Sequence, residues 1–200
     1  MNYTSDIPYK GIYIAGVDEA GRGALAGDVI AAAVILDPNK PIANLDDSKK
    51  LSKKKREYFY NEIKLKALDF GVGRASIDEI EKFNILNASM LAMQRAINSL
   101  SVKVEYILVD GNKTPDLEYP SRAIINGDSL IPCISAASII AKVFRDKEMV
   151  KISAKYPCYG FEIHKGYPTK QHKEILLSNG ITEFHRKTYS PIKEMISKTC

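Results

Sequence analysis

The sequence predicts an α/β fold, one mixed sheet with helices around it. Three observations point there. "GIYIAGVD" and "DVIAAAVIL" are β-rich runs joined by a glycine-bearing turn, which reads as a hairpin. "VEYILVD" is strongly apolar, the kind of strand that is buried on both faces. The stretches that follow these runs carry apolar residues at helical spacing. Strands alternating with helices in this way assemble as one layered α/β domain.

Taken in order, the first strands cover Gly11–Asp18 and Asp28–Leu36. "DDSKKLSKKKREYFYNEIKLKALDF" follows as a helix, with Phe59, Ile63, Ala67 and Phe70 on one face and lysines on the other. "GVGRAS" (Gly71–Ser76) fits a short third strand. Ser76 and Glu79 form a capping box. It opens a long amphipathic helix marked by Leu86, Met90, Met93, Ile97 and Leu100, with the Met90/Met93 stripe as core. A strand over Val104–Asp110 ends in the Asp110-Gly111-Asn112 turn. Another, Arg122–Asp128, also ends in a turn, giving five strands. "SAASIIAKVFRDKEMVKISAKY" is a helix whose opening is rich in small residues. A Gly/Tyr/Pro loop and a short helix from Thr169 to about Ser178 complete the pattern, with Gly180 as its stop.

The totals bound the function. The chain has 200 residues, 45% hydrophobic and 26% charged, which suits one domain or one domain with a small appendage. The longest apolar run, Val29–Leu36, is far below the roughly 20 residues of a membrane helix, so a soluble protein with no membrane partner is expected. "MNYTSDIPYKG" does not resemble a secretion signal. Cys133, Cys158 and Cys200 are odd in number and lack CxxC spacing, which argues against a disulfide framework or zinc site and fits a reducing cytoplasm. The net charge of +5 permits a polyanionic partner without demanding one.

The acids carry the chemical signal. Asp18, Asp110 and Asp128 are each expected at the end of an apolar strand, beside a glycine or an acid-glycine turn. An Asp before Gly is also common in ordinary turns. If the strands are neighbours, however, their ends gather carboxylates at one sheet edge. Clustered carboxylates resist ionising together unless a cation sits among them. Oxygen-only ligands select hard ions, so Mg²⁺ or Mn²⁺ is implied. Two such ions can activate water against a phosphodiester and stabilise the leaving oxygen. Glu19 reaches the same site only if the strand bends or ends there, because neighbouring strand residues face opposite ways. Gly21 and Gly23 make such a bend feasible and allow close backbone approach to a substrate, with Arg22 between them.

In sequence order, "GVDEAGRGALAGDVIAAAVIL", "DSKKLS", "NILNASMLAMQRAI", "ILVDGN", "GDS", "SAASIIAKVFRD", "YGFEIHKGYPT" and "HRKTYSP" resemble the bacterial ribonuclease HII family, the type 2 RNases H. The resemblance spans nearly the whole chain. It implies an RNase H-like mixed five-stranded sheet flanked by helices over residues 1–155. A C-terminal loop and helical extension over residues 156–200 would pack on it. It implies an endonuclease that cuts the RNA strand of RNA–DNA hybrids and cuts DNA duplexes 5′ of embedded ribonucleotides. By motif, Asp18, Glu19, Asp110 and Asp128 would be the catalytic, metal-binding acids. Gly21, Arg22 and Gly23 would sense the ribose 2′-OH at the RNA–DNA junction, and Tyr167 would pack against the deoxyribose on the DNA side. The family usually has Pro at the positions of Ala24 and Asp28. Ala24 is expected to loosen the turn, and Asp28 to add a charge near the site.

Further substrate contacts are expected from Lys49, Ser135, His164 and Lys165. Lys49 and Lys50 with Lys53–Arg56 form a basic run that could track phosphates or simply be a solvated face. Ser135 lies at a helix start, where a phosphate could bind or the small residues could serve close packing. Ser138 fits packing. His164, His172 and His185 do not make a metal set by spacing. A non-catalytic hybrid-binding module would lack an acid, and all four are present. A DNA nuclease or resolvase has no use for a 2′-OH sensor. A type 3 enzyme usually carries an extra N-terminal domain, and only about a dozen residues precede the first strand. The tail "PIKEMISKTC" offers no clamp-binding motif, so a monomer with no obligate protein partner is expected.

Overall fold

The computed structural model describes residues 13–199. The start of the first predicted strand and Cys200 lie outside them. The strands are β1 (Ile14–Ala20), β2 (Val29–Ile35), β3 (Asp69–Ala75), β4 (Tyr106–Asp110) and β5 (Ser121–Ile124). They form one sheet in the order β3-β2-β1-β4-β5. β1, β2 and β3 run as an antiparallel meander, and β4 and β5 join β1 in parallel. The sheet is therefore mixed and five-stranded, as expected. The helices are α1 (Lys53–Lys66), α2 (Ile77–Asn98), α3 (Gly127–Leu130), α4 (Pro132–Lys155), α5 (Phe161–His164), α6 (Lys170–Asn179) and α7 (Ile192–Thr199).

β2 is buried along its whole length because both sheet faces are covered. Its odd residues, Val29 to Ile35, join Ala15, Val17, Ile107 and Val109 in a core beneath α2. Ala32 and Val34 face the other way, into a core built by α4 and α1. α4 can lie this close to β1 because residue 16 is glycine. A Cβ there would run into the backbone of Cys133 and Ile134.

The capping box at the start of α2 is formed on both sides. Ser76 Oγ accepts from the Glu79 N–H at 3.3 Å, and the Ser76 N–H donates to Glu79 Oε2 at 2.9 Å. The helix it opens is not continuous. Asn84 has φ 66°, and its Oδ1 accepts from the Asn87 N–H at 3.2 Å, so it restarts the helix as a local cap. Asp128 also departs from expectation. β5 stops at Ile124, Asn126 takes a left-handed conformation (φ 57°), and Asp128 lies in the first turn of α3. Asparagine tolerates that conformation better than most residues, so the chain turns before the acid is reached.

Residues 156–199 wrap back over the β1–β2 connection. Ala26 bridges His185, Leu25 N–H donates to Gly166 O, and Leu25 shares a small core with Leu176 and Ile192.

Candidate metal centre and nucleic-acid interface

β1 and β4 are registered in parallel, with Val17 opposite Val109. One residue further stand Asp18 and Asp110, both on the α4 side of the sheet by strand alternation. α3 brings Asp128 over them. Its N–H donates to Asp110 Oδ1 at 3.2 Å. Each of the three aspartates places a carboxylate oxygen within 4.8 Å of the others. Asp18 and Asp128 are buried, and Asp110 is half-buried.

Burial, with Glu19 and Asp110 beside it, holds the Asp18 carboxyl well above the usual carboxylate range. Burial raises Asp110 too, with Asp128 adding like-charge repulsion. Such a set lacks positive charge. Lys49 supplies part of it, with Nζ 3.3 Å from Asp128 Oδ2 and 3.8 Å from Asp47 Oδ1. Burial alone would lower the pKa of Lys49, but Asp47, Asp128 and Asp18 together raise it. An all-oxygen, acidic, partly buried donor set fits a hard divalent cation.

β1 does not end at Asp18. It runs on to Ala20, so Glu19 lies outside the three-aspartate group among the described residues. Its Oε1 instead accepts from Arg22 at 3.2 Å. It stays close enough that Asp110 contributes to raising its carboxyl, after burial. Gly21 has φ 102°, and Arg145 lies where a Cβ would sit. Beyond its own chain neighbours, no described atom lies within 4 Å of the place a Cβ of Gly23 would take, so the turn is open at that position.

The turn is held from behind by groups that the sequence motifs did not single out. Arg186 is fully buried. It donates to Gly27 O at 2.7 and 2.9 Å and to Arg22 O at 2.9 Å. Tyr189 Oη donates to the same Arg22 carbonyl at 3.0 Å. Arg145, 1% exposed, donates to the carbonyls of Ala26, Asp28 and Lys165. Burial lowers both guanidinium pKa values, that of Arg186 to about 10. Asp28 pairs with Arg74 at 3.4 Å, so its charge is matched away from the aspartates. Ala24 is fully buried.

The remaining predicted contacts separate into two groups. Ser135 is buried, and its hydroxyl donates to Asp128 O at 2.7 Å and to Ile131 O at 3.1 Å. It therefore anchors α3 rather than presenting a hydroxyl to solvent. Ser138 is more than packing. Its hydroxyl bonds to Ser48 Oγ at 2.9 Å, and beside Asp18 it offsets part of the upward pKa shift of that carboxyl. His164 is buried, with both ring nitrogens engaged by backbone. The contact expected of it is thus replaced by an internal role. Lys165 and Tyr167 do reach the surface, where they line a groove of 730 Å³ with Lys53, Lys142, Lys147 and Ile163. Burial, with Lys53 and Lys142 nearby, holds the Lys165 ammonium below its usual range. Lys142 Nζ lies 5.1 Å and the Arg145 guanidinium 5.2 Å from the centre of the Tyr167 ring. Arg56 lines the same groove and is held there by one guanidinium nitrogen that donates to the carbonyls of Ser48 and Leu51.

A sequence model described as Ribonuclease HII matches residues 15–191. The chain is 58% identical to the ribonuclease HII of Shewanella amazonensis over 92% of its own length and 89% of that protein. It is 55% identical to the ribonuclease HII of a Marinomonas species over 94% and 95%. This chain belongs to the ribonuclease HII family. As a member it is a metal-dependent hydrolase, an endoribonuclease H acting on RNA–DNA hybrids. Its fold matches the crystal structure of ribonuclease H2 from Pyrococcus horikoshii, with TM-score 0.76, 29% identity, and coverage of 92% and 97% of the two chains. A Bst-RNase HIII in complex with Mn²⁺ shares the fold at TM-score 0.69 and 17% identity, over 92% of this chain and 69% of that one. No helix among the described residues is long and apolar enough to cross a membrane.

Proposed function

We propose that this family member cuts on the 5′ side of ribonucleotides embedded in duplex DNA as well as within RNA–DNA hybrids, leaving a 3′-hydroxyl and a 5′-phosphate. The observation that carries this reading is the meeting of Asp18, Asp110 and Asp128 within 4.8 Å beside an open Gly-Arg-Gly turn. Asp18, Asp110 and Asp128, with Glu19 at their margin, would hold two divalent ions, Mg²⁺ or Mn²⁺. When bound, the ions supply an activated nucleophile and charge stabilisation at the leaving oxygen.

The protein's own residues do the positioning. The Glu19 N–H fixes the Asp18 carboxylate, and Ser135 fixes the backbone of Asp128. The main chain of Gly21–Gly23 meets the 2′-hydroxyl, which only RNA offers as donor and acceptor. Pure DNA would leave those groups unpaired. The Tyr167 ring takes the neighbouring deoxyribose, where an added 2′-oxygen fits poorly. Lys53, Lys147 and Lys165 along the groove accept the duplex backbone, so binding weakens as salt rises. Cys133 and Cys158 are unpaired, in keeping with a reducing cytoplasm.

Cleavage of three duplexes tests this reading: all-DNA, DNA with one ribonucleotide, and a long RNA–DNA hybrid, each with Mg²⁺ and with Mn²⁺. Cutting is expected 5′ of the single ribonucleotide. Asp110→Asn should reduce it by at least about a thousandfold, equivalent to about 4 kcal/mol of transition-state stabilisation. Cutting of the long hybrid alone would remove the junction roles given to Gly21–Gly23 and Tyr167.

A further inference from the structure

Three histidines far apart in the sequence meet behind Tyr167. The rings of His164 and His172 stack with centroids 4.1 Å apart, and His172 Nε2 lies 3.1 Å from His185 Nε2. All three side chains are buried. Their partners determine where each proton sits. The Thr182 N–H can only donate, and it points at His185 Nδ1 at 2.8 Å. His185 Nδ1 is therefore bare, and its proton is on Nε2. That N–H donates to His172 Nε2, which must be bare in turn. The proton of His172 is then on Nδ1, where it donates to Tyr167 O at 2.9 Å. His164 works on the residue before. Its Nδ1 accepts from the Gly166 N–H at 3.2 Å, and its Nε2–H donates to Tyr159 O at 2.7 Å.

The main chain on both sides of Tyr167 is thus held by imidazoles. From this geometry we infer that His172, with its tautomer set by His185, is a positioning residue that sets the aim of Tyr167 and through it the preference for an RNA–DNA junction. The inference rests on the junction role proposed for Tyr167. A neutral chain of this kind tolerates one proton arrangement only. A second proton on His172 would set two N–H groups against each other, and one on His185 would oppose the Thr182 N–H. Burial accordingly lowers both groups, His172 and His185, to about 4. The charged side chains nearby, Lys165 and Glu162 beside His164, do not enter the chain of bonds.

Two measurements on the full chain test the inference. Long-range ¹H–¹⁵N spectra at pH 7 should show His172 protonated on Nδ1, and His164 and His185 on Nε2. A His172 proton on Nε2 overturns the relay. The second readout is the ratio of cutting at a single embedded ribonucleotide to cutting within a long hybrid. Tyr167→Ala should lower that ratio about tenfold, and His172→Phe, which keeps the stacked ring but removes the bond, should do the same. In a Tyr167→Ala background, His172→Phe should change the ratio by less than about twofold, because the two act through one contact. His172→Asn keeps a donor at the Nδ1 position and should preserve the ratio, and it carries the test if the Phe variant does not fold. Additive effects, or loss of the ratio in His172→Asn, overturn the inference while leaving the role of Tyr167 intact. An unchanged ratio in Tyr167→Ala overturns the junction role itself.

Discussion

Arg145 lies on the buried stripe of α4 that also carries Ser138, Ala141 and Met149. Every hydrogen bond it makes goes to a main-chain carbonyl, and those carbonyls belong to the Gly-Arg-Gly connection and the Tyr167 loop. A guanidinium spreads its donors over three nitrogens in a fixed fork and so reaches three separate carbonyls, whereas the three donors of a lysine radiate from one nitrogen. Truncating it leaves buried acceptors without partners, at about 1–3 kcal/mol each before relaxation. Arg145→Ala should therefore destabilise the protein by about 3–5 kcal/mol, read from denaturant unfolding. Arg145→Lys should recover less than half of that loss. Within "VFRDKEMVK" this arginine resembles an ordinary solvated charge. Its hints in the sequence are its place inside "SAASIIAKVFRD" and on a stripe of small and apolar residues at helical spacing. Motif reading marks residues that meet substrate, and Arg145 meets backbone carbonyls and the Tyr167 ring instead.

At the scale of elements, the sheet and the large helices were legible because their signals are local. β-rich runs flanking a glycine-bearing turn mark β1 and β2, and the Ser76–Glu79 box marks the start of α2. The break at Asn84 was not legible, since the apolar spacing continues across it. In the sequence Asp128 looks like a strand end, because an apolar run leads up to it, but α3 delivers the acid after the strand has stopped. The chemistry still converges, because the Asp110 carboxylate accepts from the Asp128 N–H and Ser135 ties that residue down. The height of α4 over β1 matters most to this arrangement, since α4 carries Ser135 and Ser138. Gly16 sets that height. In Gly16→Ala the new methyl would meet helix backbone rather than a movable side chain, so α4 must lift. We expect about 2–3 kcal/mol of destabilisation, toward the upper end of overpacking costs. Divalent-ion affinity should fall at the same time, read by calorimetric titration. A variant with lost stability but unchanged ion affinity would mean that the aspartates do not depend on the height of α4.

For the whole molecule, the C-terminal segment and the β1–β2 connection form one unit joined through buried arginines and histidines, and its stability should follow pH. His164, His172 and His185 were unremarkable by spacing, and only tertiary structure brings them together. Unfolded histidines titrate near 6.5. In the folded chain burial holds His172 and His185 near 4. The unfolded state therefore binds more protons as pH falls. The contribution is fully present above about 6.5 and is lost progressively toward about 4, with a limiting slope of about 1.4 kcal/mol per pH unit for each group. Asp18, Glu19 and Asp110 run the other way, because burial raises their folded pKa values and acid relieves their repulsion. A single pH–stability curve mixes the two. The difference between the wild type and His172→Asn isolates the His172 part, since the acids and the other two histidines are common to both. Unfolding free energies at pH 7.5 and 5.0 should fall more steeply in the wild type, by about 1–2 kcal/mol across that interval. Equal slopes would mean that His172 titrates in the fold as it does in the unfolded chain, and a His172 that gains its second proton near 6.5 could not keep accepting the His185 N–H at pH 5.0.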